Sequence, residues 1–150
     1  MMKKKWIAVF ICCTMVAGVA VGCGGRPAYK DGTYSAQSGT YTNKDEDSEA
    51  GNGYGVVEIT IKDNTITACT FQTYELDGTL KDAEYGKEGG KVANRDYYNK
   101  AQKAVAACDQ YAAQLVEKND IRDIDAISGA TINYNEFLDA AGAALQQAEE

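Results

Sequence analysis

Val56-Val57-Glu58-Ile59-Thr60-Ile61-Lys62-Asp63-Asn64-Thr65-Ile66-Thr67 is the stretch from which the fold is read. Val57, Ile59 and Ile61 alternate with polar neighbours, the period of a strand with one buried face. Asp63-Asn64 is a turn signal, and Thr65 to Tyr74 is rich in Thr, Ile and aromatic residues, so a second strand returns beside the first. On that second strand Cys69, Phe71 and Thr73 are expected to share a face. Upstream, Asp31-Gly32-Thr33-Tyr34-Ser35-Ala36 reads as a turn entering a further strand that continues towards Tyr41, and the polar, acidic segment from Asn43 to Gly53 reads as a loop.

Downstream the periodicity changes. Gly86 to Gly90 is a glycine-rich break. Tyr98, Ala101, Val105, Cys108, Ala112 and Leu115 then recur at spacings of three and four, which predicts a helix from about Asp96 to Glu117. A final helix is expected from about Tyr134 to Ala148, with Phe137, Ala141, Ala144, Leu145 and Ala148 on its inner stripe. Asn133 followed by Glu136 looks like a capping box for it. Strands followed by helices give an α+β class: a small antiparallel sheet packed with helices.

The chain has 150 residues, enough for one domain with a short appendage. It holds 15 Lys and Arg against 22 Asp and Glu, a net charge of -7. Lys3, Lys4 and Lys5 stand at the start, so the remainder carries 12 basic residues against 22 acidic ones. Phosphate backbones would repel such a body, which disfavours nucleic acid as a partner. No histidine is present. Histidine-based triads, the common catalytic zinc sites and histidine-held haem are thereby excluded, and neither a catalytic residue nor a metal site is expected.

The basic start is followed by an apolar run from Trp6 to Val21, about 16 residues where a membrane span needs roughly 20. Basic region, apolar region and small residues fit a secretory signal over residues 1–22. Its end, Ala20-Val21-Gly22-Cys23, resembles the lipobox of bacterial lipoproteins, in which the cysteine is lipidated and begins the mature chain. Cys23 is then the lipid anchor, residues 23–30 a tether, and residues 31–150 the domain, held at the extracytoplasmic face of the cell membrane. Cys69 and Cys108 fall on expected core faces, where two readings stay open: buried thiols acting as small hydrophobes, or a disulfide permitted by export.

Two motif comparisons fail. Asp45, Asp47 and Glu49 alternate as in a calcium loop, but Ala50 and Val56 stand where glycine and a bidentate acid belong. Gly51-Asn52-Gly53-Tyr54-Gly55 precedes a strand instead of joining a strand to a helix, so it is no dinucleotide fingerprint. It reads as a flexible approach to the hairpin, with glycines that can also let a flat ligand come close to backbone.

Asp125-Ala126-Ile127-Ser128-Gly129-Ala130-Thr131 precedes the last helix. Its small residues leave Thr131 uncrowded beside a helix N-terminus, whose N–H groups favour an anionic oxygen cluster. A tight turn alone would use the same residues. The segment, however, resembles the flavinylation motif of the FMN-binding domain family, Asp-x-x-(Ser/Thr)-Gly-Ala-Thr, and stands at that family's place near the C-terminus. Asp31-Gly32-Thr33-Tyr34 and the Val57–Thr67 hairpin are similar to the family as well, so the resemblance runs from Asp31 to Ala148. It implies FMN as cofactor, esterified through its phosphate to Thr131 by a separate magnesium-dependent flavin transferase. Asp125, Ser128, Gly129 and Ala130 would be the element that the transferase recognises and the phosphate touches. Ala126 departs from the glycine of many members, and Gly86 to Asn119 is longer than in compact ones. Tyr54, Tyr85 and Tyr134 are candidates to stack on the flavin ring, Tyr54 first among them. The expected function is a membrane-anchored carrier of electrons between membrane or extracellular redox partner proteins. The alternatives are an FMN-dependent reductase of a small acceptor and a lipoprotein that binds flavin or another ligand non-covalently.

Overall fold

Val57, Ile59 and Ile61 are all buried, as the alternation requires. The structure, a computed structural model, describes residues 25–43 and 51–149. The signal segment, Cys23 and the acidic residues Asp45, Asp47 and Glu49 lie outside the described residues. Three strands, β1 (Gly32–Gln37), β2 (Tyr54–Lys62) and β3 (Thr65–Tyr74), form an antiparallel sheet in the order β1-β2-β3. Two helices follow, α1 (Arg95–Lys118) and α2 (Thr131–Ala148), joined through a single 3-10 turn at Ile121–Asp123. α1 lies along β3, while α2 lies across β2 and β1. The class is α+β.

Local chemistry explains the bounds. Asp63 and Asn64 both have positive φ, 50° and 57°, the conformation of a two-residue hairpin turn whose twist matches the strands. β1 is shorter than expected, ending at Gln37, and Tyr41 returns only as an isolated bridge to Gly53. β3 contains a bulge: Thr60 pairs with Ala68 but Ile61 with Ile66, leaving Thr67 over. The extra residue lets Ile66 and the odd-numbered Cys69, Phe71 and Thr73 all face the helices. Part of the segment expected as a tether is docked. The Arg26 guanidinium donates to the carbonyls of Asn119 and Asn64, and Tyr29 N–H donates to the Asn64 side chain at 2.9 Å.

α2 begins at Thr131, three residues before the expected start, and the expected capping box does not form. Asn133 and Glu136 are both buried inside the helix. The Asn133 amide instead donates to the Ala104 carbonyl at 3.0 Å and meets Cys108 Sγ at 3.3 Å. Cys69 and Cys108 are free thiols, the first of the two readings. Burial pushes Cys69 up to about 12 and raises Cys108 as well, so neither is nucleophilic at neutrality.

The face of α2 towards the sheet is built on Ala140, Ala141, Ala144 and Ala148, all fully buried, which lets the helix sit close. Phe137 fills the remaining space, edge-on to Phe71 at 5.1 Å and stacked with Tyr111 at 5.7 Å. The glycines before β2 serve the same closeness. A Cβ on Gly53 would lie 1.9 Å from the Tyr74 carbonyl oxygen, and one on Gly55 would lie 2.6 Å from the Phe71 ring. Protein atoms, not open space, therefore occupy the positions where those two glycines allow close approach.

Beneath Gly55 the core holds a carboxyl. Glu136 is 4% exposed, and neither of its oxygens has a hydrogen-bond partner among the described residues. Burial raises it to about 7, against the pull of the buried Lys81 ammonium. Lys81 donates to the Gly51 carbonyl at 3.1 Å, and its own affinity for the proton is lowered by burial. Because Glu136 holds its proton in the folded chain up to about pH 7 but loses it near 4.5 when unfolded, the native state binds more protons across that window. Stability therefore falls as pH rises from about 4.5 through 7, by about 3 kcal/mol in all. Urea unfolding at pH 5 and pH 8 checks this: Glu136→Gln is expected to flatten the difference and to exceed the parent chain in stability at pH 8.

Candidate functional site

The polypeptide between the helices is tied down residue by residue to one side of α1. Lys118 Nζ donates to the Asp123 carbonyl and to the Asp125 carboxylate. One turn back, Gln114 makes a reciprocal pair with the Asp125 backbone: Asp125 N–H donates to Oε1 at 2.8 Å and Nε2 donates to the carbonyl at 3.2 Å. A further turn back, the Tyr111 hydroxyl accepts from Ile127 N–H at 3.0 Å and donates to the Ala130 carbonyl at 3.2 Å. Tyr111 is fully buried, so these bonds form away from water, where leaving either backbone group unpaired would be costly.

Within this strap Ile127 to Ala130 form a tight turn, closed by Ala130 N–H donating to the Ile127 carbonyl at 3.0 Å. Gly129 has φ +82°, and a Cβ there would meet nothing within 4 Å. Glycine is needed here for its backbone angle, while the space above it is open. Ser128 is exposed, Ala130 is buried at 2%, and Thr131 is exposed in the first turn of α2. Ala130 gives that helix no side-chain cap. An uncapped N-terminus presents N–H groups that suit an anion. Asp125 would oppose an anion nearby, but Lys118 pairs with it. The strap thus brings Asp125, Ser128, Gly129, Ala130 and Thr131 together in one loop, with Ala130 buried and the other four exposed.

The tyrosine candidates separate. The Tyr134 hydroxyl donates to the Ile124 carbonyl at 3.2 Å, and its ring lies 5.8 Å from that of Tyr111, so it supports the loop from below. The Tyr85 hydroxyl accepts from Gly51 N–H at 3.2 Å, and Gly51 in turn sits against Ile132 in the first turn of α2. Tyr85 is thus linked to the first turn of α2 only through Gly51, and Lys81 lies 5.2 Å from its ring centroid. Tyr54 does not join them: it is on the sheet face away from the helices, stacked on Tyr74 at 5.5 Å and 15°.

Tyr111, Gln114 and Lys118 carry the loop yet are not legible as site residues in the sequence. Their one signal is the spacing of three and four on α1, a stripe of hydrogen-bonding tips beside the apolar one.

The arrangement fits a flavin mononucleotide: an exposed threonine and an uncapped helix start for the phosphate, and open space at Gly129. A comparison with protein families agrees. The FMN-binding domain family matches residues 51–146, a span that holds β2, β3, α1, the strapped loop and nearly all of α2. Among solved structures, the CPE2226 protein of Clostridium perfringens is 23% identical, with 80% of this chain and 88% of that chain covered at a TM-score of 0.55. A protein of Clostridium thermocellum solved by NMR is 29% identical over 81% of this chain and 93% of its own, at a TM-score of 0.42. No curated protein matches. From the family match and the loop it contains, the chain belongs to the FMN-binding domain family, with FMN as its cofactor.

Proposed function

We propose that this protein is a lipid-anchored, extracytoplasmic electron carrier whose FMN is esterified to Thr131. The observation that carries the reading is the exposed Thr131 hydroxyl at the uncapped start of α2, presented by a loop that α1 holds rigid. In the attachment reaction the Thr131 Oγ–phosphorus bond forms and the pyrophosphate bond of FAD breaks. AMP leaves, the hydroxyl proton is lost, and a separate flavin transferase does the catalysis. What the chain supplies is position: Tyr111 and Gln114 fix the backbone, Gly129 keeps the approach clear, and the N–H groups of the first turn face the phosphate. When bound, FMN supplies one- and two-electron chemistry. A covalent link suits a protein outside the cell, where a dissociable cofactor would be lost to dilution. Cys23, lipidated, would keep the domain at the membrane beside its redox partner proteins. The excess of 22 acidic over 12 basic residues beyond the signal favours partners with basic patches, with rates that fall as salt rises.

Co-expression with a flavin transferase followed by intact-mass measurement is the direct test. The parent chain is expected to gain one FMN less water and Thr131→Ala to gain nothing; colour released by acid denaturation would instead select non-covalent binding. Tyr111→Phe deletes both bonds of the buried hydroxyl and is expected to cost about 1–2 kcal/mol in urea unfolding. It should also slow the mass gain several-fold while leaving its final value unchanged. Cys23→Ser is expected to move the protein from the membrane to the soluble fraction on cell fractionation.

A further inference from the structure

β3 is an edge strand, and its outer edge is closed at both ends. At one end Ile66 N–H donates to the side chain of Asn119, the residue that also caps α1. At the other, Lys81 N–H donates to the Thr73 carbonyl and Glu75 N–H to the Thr79 carbonyl, at 2.9 and 2.8 Å. Since the Thr73 and Glu75 groups point outward, strand alternation directs those of Phe71 and Cys69 outward too. None of these has a partner among the described residues. The edge thus has a central window, with two residues' worth of unpaired N–H and C=O groups between two protected ends. Natural edges are usually blunted or covered along their length.

The window opens on a groove of about 640 Å³ between β3 and α1. Its helix side presents Ala112, Ala113 and Val116, with Asp109 and Glu117 beyond them. A strand added to β3 would extend the sheet beneath α1 and turn alternate side chains towards that apolar strip. Asp109 and Glu117 are eight residues apart, about 12 Å along a helix. Positions i and i+4 of a strand are about 13 Å apart and face the same way.

We infer that the β3 edge is a docking site for an extended segment of a partner protein, with basic, apolar and basic side chains at alternate positions. The segment takes its backbone bonds from Cys69 and Phe71, sets its apolar side chain against Ala113 and Val116, and reaches Asp109 and Glu117 with its two cations. This mode of recognition draws affinity from backbone bonds and specificity from alternate side chains. It does not depend on the flavin, so its test is separate from that of the function proposed above.

The probe is a fluorescein-labelled peptide, Thr-Lys-Thr-Val-Thr-Lys-Thr, titrated against the full chain by anisotropy, with Thr-Glu-Thr-Val-Thr-Glu-Thr as its counterpart. The lysine peptide is expected to bind about tenfold more tightly at low salt, and the exposed double variant Asp109→Lys/Glu117→Lys to reverse that preference. Hydrogen exchange at the Cys69 and Phe71 amides should slow about tenfold on binding. The inference is overturned by any of four results: no binding, a preference that survives the charge reversal, protection that falls on β1 instead, or a chain that self-associates through this edge.

Discussion

A single buried hydroxyl, that of Tyr111, bridges the backbone of Ile127 to that of Ala130, and the outward placement of Thr131 depends on it. In the Ile127–Ala130 turn Ser128 and Gly129 are exposed, while Ala130 is buried in the core and Ile127 packs against it. Bonds and packing both tie it to the core. Tyr111 stacks on Phe137, which meets Phe71 on the sheet, so the turn is connected through three aromatic rings to the hairpin. The hydroxyl is satisfied on both its donor and acceptor sides, as a buried tyrosine requires. The loop can therefore stay exposed at Thr131 without being mobile in its backbone.

The same closeness that seats α2 on the sheet explains the least comfortable feature of the interior. Alanines along α2 and glycines at 53 and 55 bring backbone near backbone, which leaves no room for a hydrogen-bonding partner at Glu136. The acid is held neutral across much of the physiological range by burial, with Lys81 pulling the other way from beneath Gly51. Glu136 is one turn along α2 from Ile132, and Lys81 reaches the carbonyl of Gly51, which sits against Ile132. An ordinary core would have leucine in place of this acid, and the acid is tolerated because its neutral form costs less to bury than an ion.

The hairpin was legible because period-two alternation and a two-residue turn are local signals, and both are written in Val57–Thr67. The bulge at Thr67 was not, because it is fixed by pairing across strands: Cys69 and Phe71 look out of phase with Ile66 until one residue is taken out of the ladder. The loop Asp125–Thr131 was legible as a family resemblance, whereas the side chains that hold it were not. Tyr111, Gln114 and Lys118 look like ordinary helix residues until the chain turns back against them, 5 to 19 residues on. The start of α2 was misplaced because Asn133 and Glu136 carry the local pattern of a cap while tertiary packing draws both into the interior. Tyr54 is a stacking candidate by its aromatic face alone. Strand alternation from the buried Gly55 already turns it to the outer face, and the sheet stacks it there on Tyr74.

α1 serves two surfaces at once. At 100° per residue, Tyr111, Gln114 and Lys118 lie roughly opposite Asp109, Ala113 and Val116, with the core stripe of Ala101, Cys108 and Leu115 between them. The strapped loop and the β3 groove are thus on opposite sides of one rigid helix, separated by its diameter, about 10–12 Å. A segment docked on the β3 edge would leave Thr131 and the space above Gly129 uncovered. It would also press on the helix whose other face positions them. A 24-residue helix capped by Asn94 at one end and Asn119 at the other is a stiff element for that purpose. Asn119 ties it directly to the sheet through Ile66.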